Sequence, residues 1–221
     1  MPDWRGCHRR RLGRYPQLSA ALVIVEFAQL PAIGEVTAEI ETALVRALNK
    51  AADKGRTRAA RLVRDQVAFP ASYVSPSSKK LWVKTRARRG ALIAMIEGRG
   101  QATSLARFSR QTVLTGGARH RGGKINVTVK PGQTKSISRA FIMRLKNDNI
   151  GLAVRTNGEA PAGAYKPKPI GKNLWLLYGP SVDQALSAAS RDGGVFEDMS
   201  QETLDDVEEE FNRQMELLRN G

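Results

Sequence analysis

The stretch from Ile137 to Leu186 constrains this chain more than any other. It reads ISRAFIMRLKNDNIGLAVRTNGE, crosses a span rich in Pro, Gly and Lys, and closes with LWLLYGPSVDQAL. The apolar run Ala140-Phe141-Ile142-Met143, the triplet Asn147-Asp148-Asn149 and the return segment Ile150 to Arg155 predict a β-hairpin. Asn and Asp tolerate left-handed backbone and bond their own main chain, which suits a tight reversal. Phe141 is expected opposite Leu152 and Val154 across that turn. Downstream, Leu174 to Tyr178 reads as a strand that stops at Gly179-Pro180 and gives way to a helix, with Ser181 as its cap or Pro180 as its first residue.

An AFI hairpin with a basic return strand, followed by a strand ending in YGPS and a helix, resembles the minor tail protein Z family of lambdoid phages and prophages. These are tail-completion proteins of long-tailed phages. The likeness runs from Val23 to Leu218. It implies a long N-terminal helix, a basic middle, the hairpin, the GPS turn and a C-terminal helix. It also implies a structural virion protein at the head-proximal end of the tail, assembled in the bacterial host cytoplasm, which finishes the tail for head-tail joining. Such a protein has no catalytic residues and needs no cofactor. The implied partners are other tail or neck proteins (tail terminator, tail tube, tape measure) and further copies of the chain in a homo-oligomeric ring. The matching motif positions are Arg139, Ala140, Phe141 and Ile142, and Gly179, Pro180, Ser181 and Val182. Their implied role is to pack the sheet and launch the C-terminal helices. The N-terminal arm here is longer, and the C-terminal helix more acidic, than the family pattern.

Elsewhere the residues themselves give the elements. Ala21 to Phe27 is β-branched and short, a strand that Pro31 and Gly34 end. From Val36 to Val67 apolar residues recur every three or four positions, the period of an amphipathic helix, which Phe69-Pro70 terminates. Gly55 inside it predicts a kink or a close helix contact, since glycine costs about 1 kcal/mol there relative to alanine. Val74 to Ala87 opens with Ser-Pro-Ser and reads as a short basic helix. Ala91 to Glu97 reads as a strand, and Gly98 to Arg121 shows little periodicity. In Lys124 to Lys130, Ile125, Val127 and Val129 alternate as on a half-buried strand. A Gly193-Gly194 break is expected before a final helix from Ser200 to Leu218 with the apolar face Leu204, Val207, Phe211, Met215 and Leu218. Helices set apart from antiparallel strands argue an α+β fold, a long N-terminal helix packed on a small, mainly antiparallel sheet with C-terminal helices. The expected organisation is a basic flexible arm over residues 1–20, a main domain over 21–190 and an acidic C-terminal helix over 191–221.

Charge separates along the chain. Ser187 to Gly221 holds ten acidic and three basic residues, a balance of −7 that leaves +22 on the remainder of a chain of net charge +15. The basic clusters Lys79, Lys80, Lys84, Arg86, Arg88, Arg89, Arg119, Arg121 and Lys124 are candidate contacts to an anionic partner. Gly116 to Lys124 is expected to be mobile. Leu204, Val207, Phe211 and Met215 are candidate subunit contacts, if the acidic helix meets a neighbour's basic face and does not fold back on its own body. A stand-alone nucleic-acid-binding protein is the alternative reading, because phosphate contacts need only Lys and Arg.

Enzyme signatures fail on spacing. The GGARHRGGK loop has Ala118 where a phosphate loop needs glycine and Ile125 where it needs Ser or Thr. Thr103 replaces the third glycine of a dinucleotide fingerprint. Two histidines, His8 and His120, are too few for a zinc site. Ser181 lacks the Gly-x-Ser-x-Gly frame of a nucleophile. The acidic run Asp205 to Glu210 lacks the turns of a calcium loop. Neither metal nor cofactor is expected. The single cysteine, Cys7, fits a reducing cytosol. No apolar run approaches the ~20 residues of a membrane span, so no membrane partner is expected.

Overall fold

A computed structural model describes residues 22–26, 38–110, 123–163, 165–191 and 193–220. Its axis is helix α1, Ala38–Gln66, which buries a stripe of small residues: Ala43, Ala47, Ala51, Ala52, Gly55 and Ala59, with Leu44, Leu48 and Val63 among them. Small side chains let neighbours approach closely, and helix α3 (Gly193–Asn220) lies along this stripe. A Cβ built on Gly55 would sit 3.6 Å from Thr203 Oγ1 and 3.6 Å from Ile96 Cδ1, so the glycine marks a close contact, as its position predicts.

Strands β1 (Leu22–Glu26), β2 (Leu81–Thr85) and β3 (Ile93–Gly98) form an antiparallel sheet in the order β1-β3-β2. The expected basic helix over Val74 to Ala87 is therefore corrected. Pro76–Ser78 makes one 3₁₀ turn and Leu81 to Thr85 is a strand. The β-prone run Leu-Trp-Val finds a partner in β3, where Leu81 faces Gly98 and Trp82 faces Glu97, and that ladder overrides the local helical signal.

A second, six-stranded sheet holds β4 (Thr103–Ser104), β5 (Gly123–Lys130), β6 (Gln133–Arg144), β7 (Ile150–Arg155), β8 (Lys166–Gly171) and β9 (Leu174–Gly179). Its order is β4-β9-β7-β6-β5, with β8 pairing β9. The predicted hairpin is present as β6–β7, closed by Leu145 N–H to Asn149 O at 2.8 Å and Asp148 N–H to Leu145 O at 2.9 Å. Asp148 adopts the left-handed conformation, with φ of 59°.

One prediction needs correction. Phe141 pairs with Ala153, while Leu152 faces Ile142 and Val154 faces Ala140. Side chains alternate across a strand, so Phe141 lies on the opposite face from Leu152 and Val154. It packs with Ala153 and Leu176, whereas Ile142, Leu152 and Val154 enter the main core with Val63, Leu81, Leu105, Phe108 and Leu186. Leu105 and Phe108 belong to a 3₁₀ turn in a stretch that looked devoid of pattern.

Helix α2 spans Val182–Arg191 and α3 starts at Gly193, so the two helices part just ahead of the glycine pair, which opens α3, and the final helix begins seven residues earlier than Ser200. The architecture is α+β with three helices and antiparallel sheets. α1 packs chiefly on α3 and α2, with its sheet contacts to β2 and β3.

Candidate functional site

The motif residues sit where β9 turns into α2. Ser181 is buried, its Oγ accepts from Gln184 N–H at 3.0 Å, and its own N–H donates to Gln184 Oε1 at 3.1 Å. This is a reciprocal capping box, with Ser181 as N-cap and Val182 as the first helical residue. Gly179 is closely packed. A Cβ there would lie 3.1 Å from Phe108 Cε2 and 3.3 Å from Leu105 Cδ1. Across the sheet, Arg139 is the extra residue of a bulge, between the pairs Gly123–Ala140 and Lys124–Ser138, with φ of 57°. It is exposed, and Ala140, Phe141 and Ile142 are buried.

The acidic helix α3 meets the basic flank of α1 within the same chain. Lys50 Nζ lies 2.5 Å from Glu210 Oε2, Lys54 Nζ lies 2.6 Å from Asp206 Oδ1, and Arg58 Nε lies 2.6 Å from Glu202 Oε2. Arg58 also pairs with Asp206, and Arg46 donates to Gln214 Oε1 at 3.1 Å. Every step of four along α1 is answered by a step of four back along α3. Hydrogen bonds from Arg213 and Lys50, against the opposing effect of burial, hold the Glu210 carboxyl well below the usual range. Burial pushes Asp206 up, but hydrogen bonds from Arg58 and Lys54 outweigh it and hold this acid low as well.

The expected apolar face of α3 is rotated by this pairing. Val207 is buried against Ala47, Leu48 and Ala51, and Phe211 packs on the same cluster. Met215 is half-buried, but Leu204, Leu217 and Leu218 are 43%, 56% and 44% exposed. The stripe turned inward is mostly polar, with Thr203, Asp206, Glu210 and Gln214 beside Met199 and Val207.

The basic clusters divide. Lys84 pairs with Glu97 at 2.7 Å, Arg86 makes two hydrogen bonds to Asp53 at 2.7 and 3.1 Å, and Arg89 donates to Thr42 Oγ1 at 2.6 Å. Lys84 thus ties β2 to β3, while Arg86 and Arg89 fasten the β2–β3 connection to α1. Arg88, Lys79 and Lys124 are exposed. Arg119, Arg121 and the remainder of the glycine loop up to residue 122 lie outside the described residues, as does the arm over residues 1–20. Lys80 alone among the candidates enters a cleft, of about 490 Å³, which it lines with Arg99 and Arg107. Sequence reasoning missed these two arginines because they are isolated in a stretch without periodicity.

The chain matches the family described as prophage minor tail protein Z (GPZ) over residues 13–220. It belongs to that family. No curated protein and no solved structure matches it. As a minor tail protein Z, the chain is a structural phage tail protein, which places it in the virion. The AFI hairpin and the GPS turn of this minor tail protein Z are both parts of the second sheet, joined through β7 and β9, where Val154 faces Trp175 and Leu152 faces Leu177. Among the described residues there is no cluster of His, Cys, Asp and Glu placed to hold a metal, and no helix is long and apolar enough to cross a membrane.

Proposed function

We propose that this minor tail protein Z completes the head-proximal end of a long phage tail, where it joins the tail to a DNA-filled head. The observation that carries the reading is the family match across nearly the whole chain, residues 13–220. Its partners are then the tail terminator, tail tube and tape measure, and copies of itself closed into a ring. The outer side of α3 supports self-assembly, because exposed Leu204, Leu217 and Leu218 stand beside the exposed acids Glu208 and Glu216. A neighbour's basic surface complements such a strip, and head-to-tail contacts close into rings when the rotation permits.

Gold-labelled antibody against the chain, imaged on intact particles, is expected to mark the head-tail junction. Particles made without the gene are expected to carry tails that fail to join heads productively. Label at the distal tip, or productive joining without the protein, overturns the reading. The purified chain is expected to sediment as a closed multimer. A monomer at every concentration would remove the ring.

A further inference from the structure

Three cations of the described structure gather at one cleft. Lys80 precedes β2, Arg99 follows β3 and Arg107 lies in the 3₁₀ turn after β4. All three line the cleft between the segment 99–109 and the β6–β7 turn. Among the described residues none has a carboxylate partner. The one acid on the cleft wall, Asp148, is within 3.5 Å of Arg144 Nη1. Burial, and then the charges of Arg99 and Arg107, push the Lys80 ammonium below its usual range, so the cations are near enough to repel.

That arrangement is held in place by other contacts. Arg99 N–H donates to Lys80 O at 2.8 Å, adding a rung to the β2–β3 ladder. Buried Arg56 donates Nε to Leu81 O at 3.1 Å and Nη2 to Val74 O, clamping both ends of the loop that carries Lys80. The Arg107 guanidinium lies 4.5 Å above the Tyr73 ring, and Tyr73 Oη shares a hydrogen bond of 3.2 Å with Thr103 Oγ1. The repulsion is thus built into ordered backbone and a fixed aromatic platform. Such a cluster costs free energy unless an anion neutralises it.

We infer that this cleft binds a phosphate group, held by Lys80, Arg99 and Arg107. Charge selects the ligand. One carboxylate leaves two positive charges unanswered, whereas a phosphate dianion, or two successive phosphodiesters, answers at least two. The guanidinium fork fits phosphate oxygens in pairs, and Gln101, Asn147 and Asn149 add neutral amide donors at the rim. The inference stands whether or not the chain occupies the head-proximal position proposed above. Free phosphate and the phosphodiester of a nucleic acid share this chemistry.

The test uses the full chain at constant ionic strength. Inorganic phosphate is titrated by calorimetry, and labelled single-stranded and duplex oligonucleotides by fluorescence anisotropy, with labelled polyglutamate as the acidic-peptide probe. Arg99→Gln is expected to weaken phosphate or oligonucleotide binding about tenfold, the scale of one charge-assisted hydrogen bond, and to lower the salt slope of oligonucleotide binding by about one. Lys172→Gln, an equal charge change in the β8–β9 turn, is expected to stay within about twofold, as a distant screened charge does. Arg107→Gln is the second variant should Arg99→Gln unfold. Phosphate binding without oligonucleotide binding identifies free phosphate, and competition between the two identifies the phosphodiester. Both support the site. Equal losses in Arg99→Gln and Lys172→Gln, binding of polyglutamate alone, or binding of no probe overturns it.

Discussion

Two contacts tie distant parts of this chain together, and they are made of opposite chemistry. Where β6, β7 and β9 meet, Ile142, Leu152 and Leu177 are buried in an apolar core. Where α1 meets α3, the inward stripe of α3 is mostly polar and is matched to lysines and arginines. Apolar burial is non-directional and indifferent to pH. An ion-pair ladder is directional, titrates and is screened by salt. The sheet therefore supplies a fold that persists across conditions, and the helix pair supplies an attachment that conditions can loosen.

The largest effect expected is in the sheet. Phe141→Ala removes an aromatic from one face and is expected to cost about 3–5 kcal/mol, and Leu152→Ala on the other face about 2–5 kcal/mol. Thermal unfolding checks both. If the Phe141 variant melts like the parent, the second face does not contribute to the core and the comparison rests on one face only.

A smaller effect is expected in the ladder. Glu210→Gln should cost about 1.5 kcal/mol, the scale of a hydrogen bond to a charged group, because Lys50 and Arg213 are both about half exposed and turn to water when their partner is lost. The pH dependence sharpens the contrast. Glu210 and Asp206 ionise more readily folded than unfolded, so the unfolded chain takes up their protons first as pH falls. Their contribution is complete above about pH 5 and is lost progressively below about pH 4, the ordinary carboxylate range. Denaturant melts between pH 3 and 7 are expected to show this decline in the parent and a shallower one in Glu210→Gln. Parallel curves would mean that the ladder contributes nothing through these acids.

The smallest effect has the opposite sign. Gly55→Ala places a methyl at ordinary contact distance from Thr203 and Ile96 and removes a glycine from a helix interior, a gain of about 0.5–1 kcal/mol. A lower melting temperature in this variant would show that α1 and α3 are packed more tightly than 3.6 Å contacts permit.

Much of the second sheet was legible because its signals are local. Asn147 to Asn149 supply a turn, Ile125, Val127 and Val129 supply the period of a strand, and Ser181 with Gln184 supplies a cap that closes within four residues. What was not legible depends on residues far apart. Val74 to Ala87 gave up its helical pattern because β3 offered a ladder. Arg99 and Arg107 carry no pattern and become a pair only when β3 and the turn after β4 are set beside Lys80.

The α1–α3 register shows the division most clearly. The sequence by itself determined complementary charge periods, bases at 46, 50, 54 and 58 and acids at 198, 202, 206 and 210, and left open whether the acidic helix meets its own body or a neighbour's. That period is satisfied by two registers. The observed one pairs Lys50 with Glu210 and leaves Arg46 on Gln214. A slip of one turn would pair Arg46 with Glu210 and Arg58 with Asp198, with an acid for every base. Charge alone therefore does not select the structure. The tertiary structure decided it by packing: Thr203 lies over Gly55, with room there for little more than a methyl, and Val207 is buried against Ala47, Leu48 and Ala51. Coulombic attraction falls slowly with distance and tolerates either register, whereas steric fit changes within an ångström and tolerates one.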